Sequence, residues 1–281
     1  MTELSVIIST QDRSAIVRRA LQSIVDQDFP RERYEVLVID NVSTDDTRSV
    51  VNEDIERIGS RCNVRYVYEA IPGATPARHR GATEAHGAIL VYIDDDIVAD
   101  RGFLASISDA FSDPSVHLVG GKNLPNYAAP PPAWVDQLWQ RGPDYAFCID
   151  YSLSDHGDRR REIDPDHVWT LNFSIRRDTL MRLGGFHPDL VPRRYQRYQG
   201  DGETGLTMKL KEQGLKAIYE PGALVHHLVA AERLNMEYLE KRRFFQGVCA
   251  SYTSIRKTRK TGYMIAPPSL YPLTQQEILA Y

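Results

Sequence analysis

The sequence predicts an α/β protein built on a parallel central sheet. Apolar runs at residues 4–9, 34–39 and 64–68 alternate with stretches in which apolar residues recur at helical spacing. A fourth run, residues 88–93, contains no charged residue, which is typical of a strand buried on both faces of a sheet. Because neighbouring parallel strands must be joined by crossover segments, the alternation predicts right-handed β-α-β units.

The helices between these strands are predicted at residues 16–25, 45–58 and 75–86, with Thr44 as the N-cap of the second. The chain changes character near residue 122, after which the loops are longer and the elements less regular. Elsewhere the sequence predicts strands at 116–119, 169–175 and 223–225, helices at 177–183 and 203–213, and a helical C-terminal segment.

The composition is that of an ordinary globular protein, and it limits the partners. Hydrophobic residues make up 42% and charged residues 26% of the 281 positions, enough to build a full core. The formal net charge of -4 excludes a chain-wide basic surface for nucleic acid. No apolar stretch approaches the roughly 20 residues that cross a bilayer, and the N-terminus lacks a signal-peptide pattern. We therefore expect a cytoplasmic protein with reduced thiols at Cys62, Cys148 and Cys249.

The most informative stretch is the point at which the fourth strand stops on Asp94, Asp95 and Asp96. Ligands of open α/β sheets bind at the carboxyl ends of the strands, so these acids mark a candidate site. If the extended backbone continues, alternation places Asp94 and Asp96 on one side, about 6.6 Å apart. Carboxylate oxygens in this arrangement suit Mg²⁺ or Mn²⁺ shared with a phosphate ligand. The alternative is an acidic turn that caps the next helix.

Four blocks of sequence, taken in order, resemble those of the family 2 glycosyltransferases. They lie at residues 5–13, 38–47, 77–96 and 172–206, and the third ends in the Asp-x-Asp pattern that holds a metal in that family. The resemblance covers about residues 4–250. It implies the GT-A fold, in which a Rossmann-like, mostly parallel central sheet is flanked by helices, here with a helical C-terminal extension.

The resemblance also implies a division of the chain by role. Residues 1–122 would form the nucleotide-sugar-binding half, and residues 123–227 the acceptor-binding half of the same domain. Residues 228–281 would form the helical extension. The cofactor implied is Mn²⁺ or Mg²⁺. Asp94 and Asp96 would bind it with His226, whose imidazole suits Mn²⁺ better than Mg²⁺. The alternative for His226 is an ordinary polar strand end.

The donor implied is a nucleoside-diphosphate sugar. Arg78 would face the diphosphate, because an arginine fork pairs well with phosphate; the alternative is a solvated charge on a helix. Asn41 stands where the family more often has an acid, and an amide can both donate and accept, which leaves the base preference open. The nucleotide-sugar contacts are implied at Ser9, Thr10, Arg13, Asp40, Asn41, Arg78, Asp94 and Asp95.

Glycosyl transfer also needs a base for the proton of the acceptor hydroxyl, and a carboxylate suits this role. Aligned with the family motif on Thr204 and Leu206, Glu203 takes the position of the base and Asp201 is the substitute. The alternative is that both acids simply occupy a helix start, where the helix dipole favours negative charge.

Two basic segments carry open alternatives. Residues 193–198 mix cations with aromatics and could order over the diphosphate as a lid, or form a solvated loop. A C-terminal cluster could touch an anionic membrane surface that holds a lipid-linked acceptor, or merely solubilise the helix. That cluster consists of Arg256, Lys257, Arg259 and Lys260.

These observations lead to a hypothesis of function. We expect a metal-dependent, inverting glycosyltransferase that moves a sugar, from a UDP-sugar in preference, to a glycan, lipid-linked or small-molecule hydroxyl. One alternative is a sugar nucleotidyltransferase, although the loop after the first strand contains no glycine. Another is a non-catalytic nucleotide-sugar-binding module. A dinucleotide-dependent dehydrogenase is disfavoured, because no Gly-x-Gly-x-x-Gly follows the first strand. The oligomeric state is open.

Overall fold

The structure is a computed structural model that describes residues 2–188 and 200–259. Its strands are β1 (Leu4–Thr10), β2 (Tyr34–Asn41), β3 (Asn63–Glu69), β4 (Ile89–Asp94), β5 (Ile97–Ala99), β6 (Val116–Tyr127), β7 (Gln140–Gly142), β8 (Tyr145–Cys148), β9 (Leu153–Asp155), β10 (Arg161–Glu162), β11 (Asn172–Arg176) and β12 (Lys216–Val229). Its helices are α1 (Ser14–Val25), α2 (Thr47–Ile58), α3 (Ala74–Glu84), α4 (Phe103–Ala110), α5 (Arg177–Leu183), α6 (Gly202–Glu212) and α7 (Met236–Arg259). In this part of the chain, none of the helices combines the length and the hydropathy that crossing a bilayer requires.

The first four strands form the predicted parallel sheet, in the order β3-β2-β1-β4. Successive side chains of β2 point to opposite layers. Val36 and Val38 pack with residues of α1 and α2, whereas Leu37 and Ile39 pack with residues of α3 and α6. All of β2 is buried, because helices cover both faces. The carboxyl ends of β1, β2 and β4 therefore open on the same edge of the sheet.

Beyond β4 the sheet becomes mixed. β11 lies antiparallel between β4 and β6, and β12 runs parallel to β6. β9, β8 and β7 extend the sheet in antiparallel pairs. β6 is continuous across residue 122, so the two proposed halves share one sheet. The division of roles between residues 1–122 and 123–227 stays a prediction.

Local hydrogen bonding moves the start of the second helix from its predicted position. α2 begins at Thr47, because Asp45 Oδ1 accepts a hydrogen bond from the Thr47 backbone N–H (2.9 Å). Thr44 is not its N-cap, and its hydroxyl donates to Asp12 Oδ1 instead (3.1 Å). The loop after β2 is thereby tied to the loop after β1.

Other boundaries also differ from the predictions: the strand predicted at 169–175 is β11 at Asn172–Arg176, and the strand predicted at 116–119 continues as β6 to Tyr127. α3 ends at Glu84, because Ala85 already has an extended backbone, with φ -68° and ψ 140°. The late strand, predicted to end before the histidine pair, continues as β12 to Val229, which pairs with Tyr127 of β6. The histidines therefore lie within a strand, where alternation decides which way each ring points.

β6 and β12 approach each other closely at Gly121. A Cβ atom there would lie 1.8 Å from the carbonyl oxygen of Ala223. The same oxygen accepts a hydrogen bond from Asn172 Nδ2 (2.8 Å), which also donates to Asn123 Oδ1 (3.0 Å). Backbone and amide groups thus converge where only glycine fits.

The helical extension is present as α7, which packs against the β8–β9 end of the sheet. Leu239 joins Tyr151 in a third core cluster, and the ring of Tyr238 stacks on Tyr151 with centroids 6.0 Å apart. Arg243 holds Asp150 through both carboxylate oxygens, at 3.0 and 3.1 Å. The helix is therefore anchored by apolar packing and by a bidentate ion pair.

Gly121→Ala is expected to lower the free energy of unfolding by about 3 kcal/mol, because the added methyl group overlaps the backbone at Ala223. Urea unfolding followed by circular dichroism measures the change. Gly247→Ala in α7 is the matched control: nothing lies within 4 Å of its Cβ position. The same substitution there should raise the free energy of unfolding by about 0.5–1 kcal/mol. A Gly121→Ala protein as stable as wild type would contradict the close approach.

Candidate active site

The three acids lie where parallel strands end, but the strand does not continue through them. β4 ends at Asp94, and Asp95 and Asp96 form a turn. The alternation that predicted Asp94 and Asp96 on one side, about 6.6 Å apart, therefore does not apply. Each acid has partners of its own instead.

Asp95 is held by the end of β1 and the loop after it. Its Oδ2 accepts from Thr10 Oγ1 (2.7 Å), and its Oδ1 accepts from Arg13 Nη1 (2.7 Å). The same Arg13 nitrogen lies 3.1 Å from Asp96 Oδ2, so one guanidinium pairs with two carboxylates. Burial raises the pKa of Asp95 to about 6, although Arg13 opposes the shift. Near neutral pH, Asp95 is thus a charged acceptor with both oxygens engaged.

Asp96 has one oxygen without a donor. Its Oδ2 accepts from Arg13 and from Arg233 Nη2 (3.1 Å). Its Oδ1 is buried, has no hydrogen-bond partner, and faces His227 Nε2 at 3.4 Å. Burial opposes ionisation, but His227, Arg233 and Arg13 hold the pKa of Asp96 well below its usual range. Asp96 therefore stays a carboxylate that can accept a further cation.

The Nε2 atom of His227 faces that oxygen. Its Nδ1 lies 2.8 Å from the carbonyl oxygen of Tyr151. Because a carbonyl oxygen only accepts, Nδ1 carries the proton, and in the neutral ring Nε2 is then unprotonated. His227 Nε2 and Asp96 Oδ1 are thus two acceptors that need a proton or a metal ion between them. Metal-binding histidines are commonly oriented in this way, through their other nitrogen.

The sequence suggested His226, the neighbouring residue, for this role. In the pairing of β12 with β5, His226 lies opposite Val98 and His227 opposite Ile97. Adjacent side chains of a strand point to opposite faces, so only one of the two rings can face the acids. The structure brings His227 to Asp96. A metal-binding role for His226 stays a prediction, without a contact to the acids to support it.

The described residues fit a metal ion as part of a shared coordination sphere. Among residues 2–188 and 200–259, no group of three or more His, Cys, Asp or Glu side chains could hold a metal by itself. Asp96 Oδ1 and His227 Nε2 offer two ligands. Sites of this kind take the remaining ligands from substrate phosphates and water, and an imidazole ligand favours Mn²⁺ over Mg²⁺.

Asn41, at the end of β2, uses its side-chain amide on the backbone. Its Nδ2 donates to the carbonyl oxygen of Ile71 (2.6 Å), and its Oδ1 accepts from the N–H of Gly73 (2.7 Å). A carboxylate could not donate to that carbonyl, which accounts for an amide where the family more often has an acid. Asn41 thus holds the loop that leads into α3, and its predicted nucleotide contact has no further support here.

Asp40 and Ser9 lie at the same edge. Asp40 is buried and accepts from Tyr66 Oη (2.6 Å) and from the N–H of Ser43 (3.0 Å). Ser9 is partly buried and lies opposite Asp94 in the β1–β4 pairing. The fold therefore brings the predicted nucleoside contacts and the acids to a common edge, as parallel strands require.

Arg78, on α3, is buried close to the acids. Its Nη2 donates to Thr170 Oγ1 (2.9 Å), and its guanidinium lies 5.7 Å from the centre of the Phe186 ring. Burial raises the pKa of Asp94, the Asp96 charge adds to the shift, and Arg78 opposes it. Arg78 is thus within electrostatic reach of Asp94, while its contact with a phosphate stays a prediction.

A second acidic centre lies at the start of α6. Asp201 is buried, and its Oδ1 lies 2.7 Å from His187 Nδ1 and 2.8 Å from Arg256 Nη2. Its Oδ2 accepts from Thr253 Oγ1 (2.9 Å). Burial opposes ionisation, but His187 and Arg256 together hold the pKa of Asp201 below its usual value. A carboxylate stabilised in this way is a weak base.

Glu203 lies on the first turn of α6 and is partly buried. Asp201 immediately precedes the helix. Gly205 leaves room for the ring of His187, because a Cβ atom at Gly205 would lie 1.9 Å from His187 Nδ1. Both oxygens of Asp201 are committed to His187 and α7, so Asp201 has little capacity to act as the base, and the base role of Glu203 stays a prediction.

Sequence reasoning missed five residues of these two centres: His227, Arg233, His187, Thr253 and Arg256. Arg233 lies 137 positions from Asp96, in a short 3₁₀ turn, and no local pattern links the two. His187 follows the Gly184–Phe186 segment, but a single histidine has too many ordinary roles to be a signal. The predicted lid at residues 193–198 and Lys260 of the basic cluster lie outside the described residues.

The chain belongs to glycosyl transferase family 2, whose sequence profile matches residues 5–183. The fold is GT-A, as the resemblance implied. The mannosyltransferase PcManGT of Pyrobaculum calidifontis, solved with GDP-Man and Mn²⁺, matches 95% of this chain with a TM-score of 0.63 and 23% identity; this chain covers 66% of it. GalNAc-T7, solved with UDP, GalNAc and Mn²⁺, matches 81% with a TM-score of 0.62 and 19% identity, and 43% of it is covered.

Sequence relatives are also named as glycosyltransferases. The glucosyl-dolichyl phosphate glucuronosyltransferase of Haloferax volcanii is 23% identical over 253 residues, which are 87% of this chain and 75% of that protein. The validoxylamine A glucosyltransferase of Streptomyces hygroscopicus subsp. jinggangensis is 29% identical over 211 residues, which are 67% of this chain and 48% of that protein. The chain thus spans three quarters of one relative and about half of the other.

Asp201→Asn is expected to lower the free energy of unfolding by about 3 kcal/mol near neutral pH, because Arg256 and His187 lose the charge they pair with. The pKa of Asp201 is lowered by folding, so this contribution is present above the unfolded pKa, near 4, and is lost as the pH falls through the folded pKa.

Urea unfolding of wild type and Asp201→Asn, at neutral pH and at about pH 3, measures the effect, and the difference should shrink in acid. Asp28→Asn is the control, because it removes only an exposed pair with Arg101 and should change stability little. A difference that is the same at both pH values would contradict the ion pairing of Asp201.

Proposed function

We propose that this chain is a metal-dependent, inverting glycosyltransferase that moves a sugar from a nucleoside-diphosphate sugar, with UDP-sugars favoured, to an acceptor hydroxyl. The observation that carries the proposal is the buried pair of Asp96 Oδ1 and His227 Nε2, two acceptors 3.4 Å apart at the ends of parallel strands. Such a pair suits a cation that a diphosphate also binds. The solved complexes of similar fold with GDP-Man and Mn²⁺, and with UDP and Mn²⁺, support this choice.

Two arginines beside the acids would bind the diphosphate. Arg13 and Arg233 both pair with Asp96 Oδ2. A metal ion on Asp96 would compensate the carboxylate in their place, so that their guanidinium forks could turn to phosphate oxygens. The metal, when bound, would stabilise the negative charge of the departing diphosphate. Arg78 would add a further positive charge from α3.

The nucleoside would lie over the ends of β1 and β2. We assign its contacts to Ser9, Thr10 and Asp40, and the ribose contact to Asp95, which all lie at that edge. Asn41 would act through the loop that it holds before α3. Titration with different nucleotides can rank the affinities for each nucleobase and so identify the one that the donor carries.

Transfer with inversion requires attack from the face of the sugar opposite the diphosphate. The bond from the acceptor oxygen to the anomeric carbon forms as the bond to the diphosphate oxygen breaks. Glu203 would take the proton of the acceptor hydroxyl. Asp201 would act as a positioning residue, because it fastens the start of α6 to His187 and Arg256.

The acceptor would belong to glycan or glycoconjugate biosynthesis. The Haloferax relative is named for a dolichyl phosphate substrate, and a Campylobacter jejuni relative, 32% identical over 123 residues, for an undecaprenol-diphosphate substrate. These names lead us to favour a lipid-linked acceptor, and with it a cytoplasmic enzyme at the membrane surface, over a free glycan or a small molecule.

Titration calorimetry with UDP, GDP and dTDP, each with and without Mn²⁺, tests the donor site. We expect wild type to bind one nucleotide in a Mn²⁺-dependent manner. Asp96→Asn and His227→Ala should each weaken this binding by about 100-fold, since each removes a metal ligand. His226→Ala is the matched control, an adjacent histidine that should bind as wild type does.

Two results would count against this site. If folded wild type binds none of the nucleotides with metal present, the glycosyltransferase proposal fails. If His226→Ala and His227→Ala lose affinity equally, the argument from the orientation of the two rings is wrong.

Glu203→Gln is expected to lower kcat by about 10²–10⁴-fold while leaving the donor Kd unchanged, because a general base acts on the acceptor and not on the donor. Release of nucleoside diphosphate from the donor, with water as the acceptor, measures turnover before the natural acceptor is known. Asp201→Asn should lose less turnover and more stability.

This assay also separates the alternatives. A binding module would bind donor without turnover in wild type, so that Glu203→Gln changes nothing. A sugar nucleotidyltransferase would instead release inorganic diphosphate from a nucleoside triphosphate and a sugar 1-phosphate. Retention of full turnover by Glu203→Gln would move the role of the base elsewhere.

A further inference from the structure

The outer face of α7 carries large apolar side chains in water. Phe244 is 68% exposed, Ile255 48% and Phe245 40%. Phe244 and Ile255 are eleven positions apart, which is about three helical turns, so they lie on the same side of the helix about 16 Å apart. Exposed apolar side chains aligned along one helix usually mark a surface that another body covers.

The inner face of the same helix already has its partners. Leu239 packs in the third core cluster, and Arg243 pairs with Asp150. Toward the C-terminal end, Thr253 and Arg256 bind Asp201. The exposed phenylalanines therefore do not serve to dock α7 onto the rest of the described chain.

The charge of the helix favours one kind of partner. From Lys241 to Arg259 the sequence contains no acid, although the whole chain has a formal net charge of -4. The cations of this stretch are Lys241, Arg242, Arg243, Arg256, Lys257 and Arg259, of which Arg243 and Arg256 pair with acids on the inner face. Aromatic side chains beside clustered cations are typical of helices that lie in the headgroup layer of an anionic membrane.

We propose that α7 binds the surface of an anionic lipid bilayer, with Phe244 and Ile255 inserted among the headgroups. The contact is centred on this apolar stripe rather than on the basic cluster at residues 256–260, because Arg256 is engaged with Asp201. The inner side of α7 contacts Asp201 at the start of α6, so the proposed membrane-binding face is on the side of α7 that points away from the proposed acceptor centre. A lipid-linked acceptor could then be reached from the same bilayer.

Vesicle flotation tests this binding without any need for transferase activity. We expect the full chain to float with vesicles that contain phosphatidylglycerol and not with vesicles of phosphatidylcholine alone. High salt should weaken the binding, since the cations attract anionic headgroups. The double variant Phe244→Ser/Ile255→Ser should bind at least about tenfold more weakly, because two large apolar side chains are lost from the contact.

Met181→Ser is the matched control, because Met181 is an equally exposed apolar side chain (49%) on α5, away from α7. Thermal unfolding of each variant confirms that a loss of binding is not a loss of fold. The proposal is overturned if wild type ignores anionic vesicles, or if the double variant floats as wild type does. It is equally overturned if sedimentation shows that the stripe joins two copies of the chain and vesicles do not compete.

The nucleotide titration distinguishes this proposal from the proposed function. Vesicle binding without nucleotide binding would support the membrane-binding proposal and contradict the proposed transferase function. Nucleotide binding without vesicle binding would support the proposed function and contradict the membrane-binding proposal.

Discussion

Three carboxylates in sequence at a buried strand end create an electrostatic penalty that the rest of the chain has to offset. Burial raises the pKa of Asp94 and Asp95, and the charge of Asp96 adds to both shifts. Asp96 stays ionised because Arg13, Arg233 and His227 surround it. The charges that compensate the acids therefore come from distant parts of the sequence, Arg13 near its start and Arg233 near its end. Asp96 Oδ1 remains able to accept a further cation.

The mixed part of the sheet explains how the late residues reach that point. β12 runs along β6 and also pairs with the short strand β5, which directly follows the acids. The backbone N–H of Leu228 donates to the carbonyl oxygen of Asp96 (2.8 Å), so β12 is fastened at the acids themselves. His227 and Arg233 are delivered by this strand and by the turn that follows it. Without β12 and the turn after it, Asp96 would pair with Arg13 alone among the arginines of the described residues.

The C-terminal helix α7 likewise supplies partners for the second acidic centre, at Asp201. Asp201 would be a buried charge at the start of α6 if α7 did not supply Arg256 and Thr253. α7 is in turn anchored by Asp150 and by the ring of Tyr151, whose carbonyl oxygen orients His227. The histidine that faces Asp96 and the helix that would carry the base are thus supported by neighbouring parts of one packing unit. The proposed membrane contact uses the opposite face of that helix.

The sequence by itself determined the α/β class, the order of strands and helices from β1 to β4, the acids at the end of β4 and the family. It also predicted α5 at residues 177–183, because the glycine at 184 ends the helix in a left-handed conformation and the signal is local. Hydrophobic period, turn chemistry and short motifs act over a few residues, and they can be read from the chain directly. The tertiary structure decided that His227 rather than His226 faces Asp96, because the side to which a strand residue points depends on its pairing. It also decided that Arg233 pairs with Asp96, that the Asn41 amide binds the backbone of the loop before α3, and that Arg256 of α7 pairs with the Asp201 carboxylate. These outcomes depend on contacts between distant positions, which packing selects and no local pattern encodes.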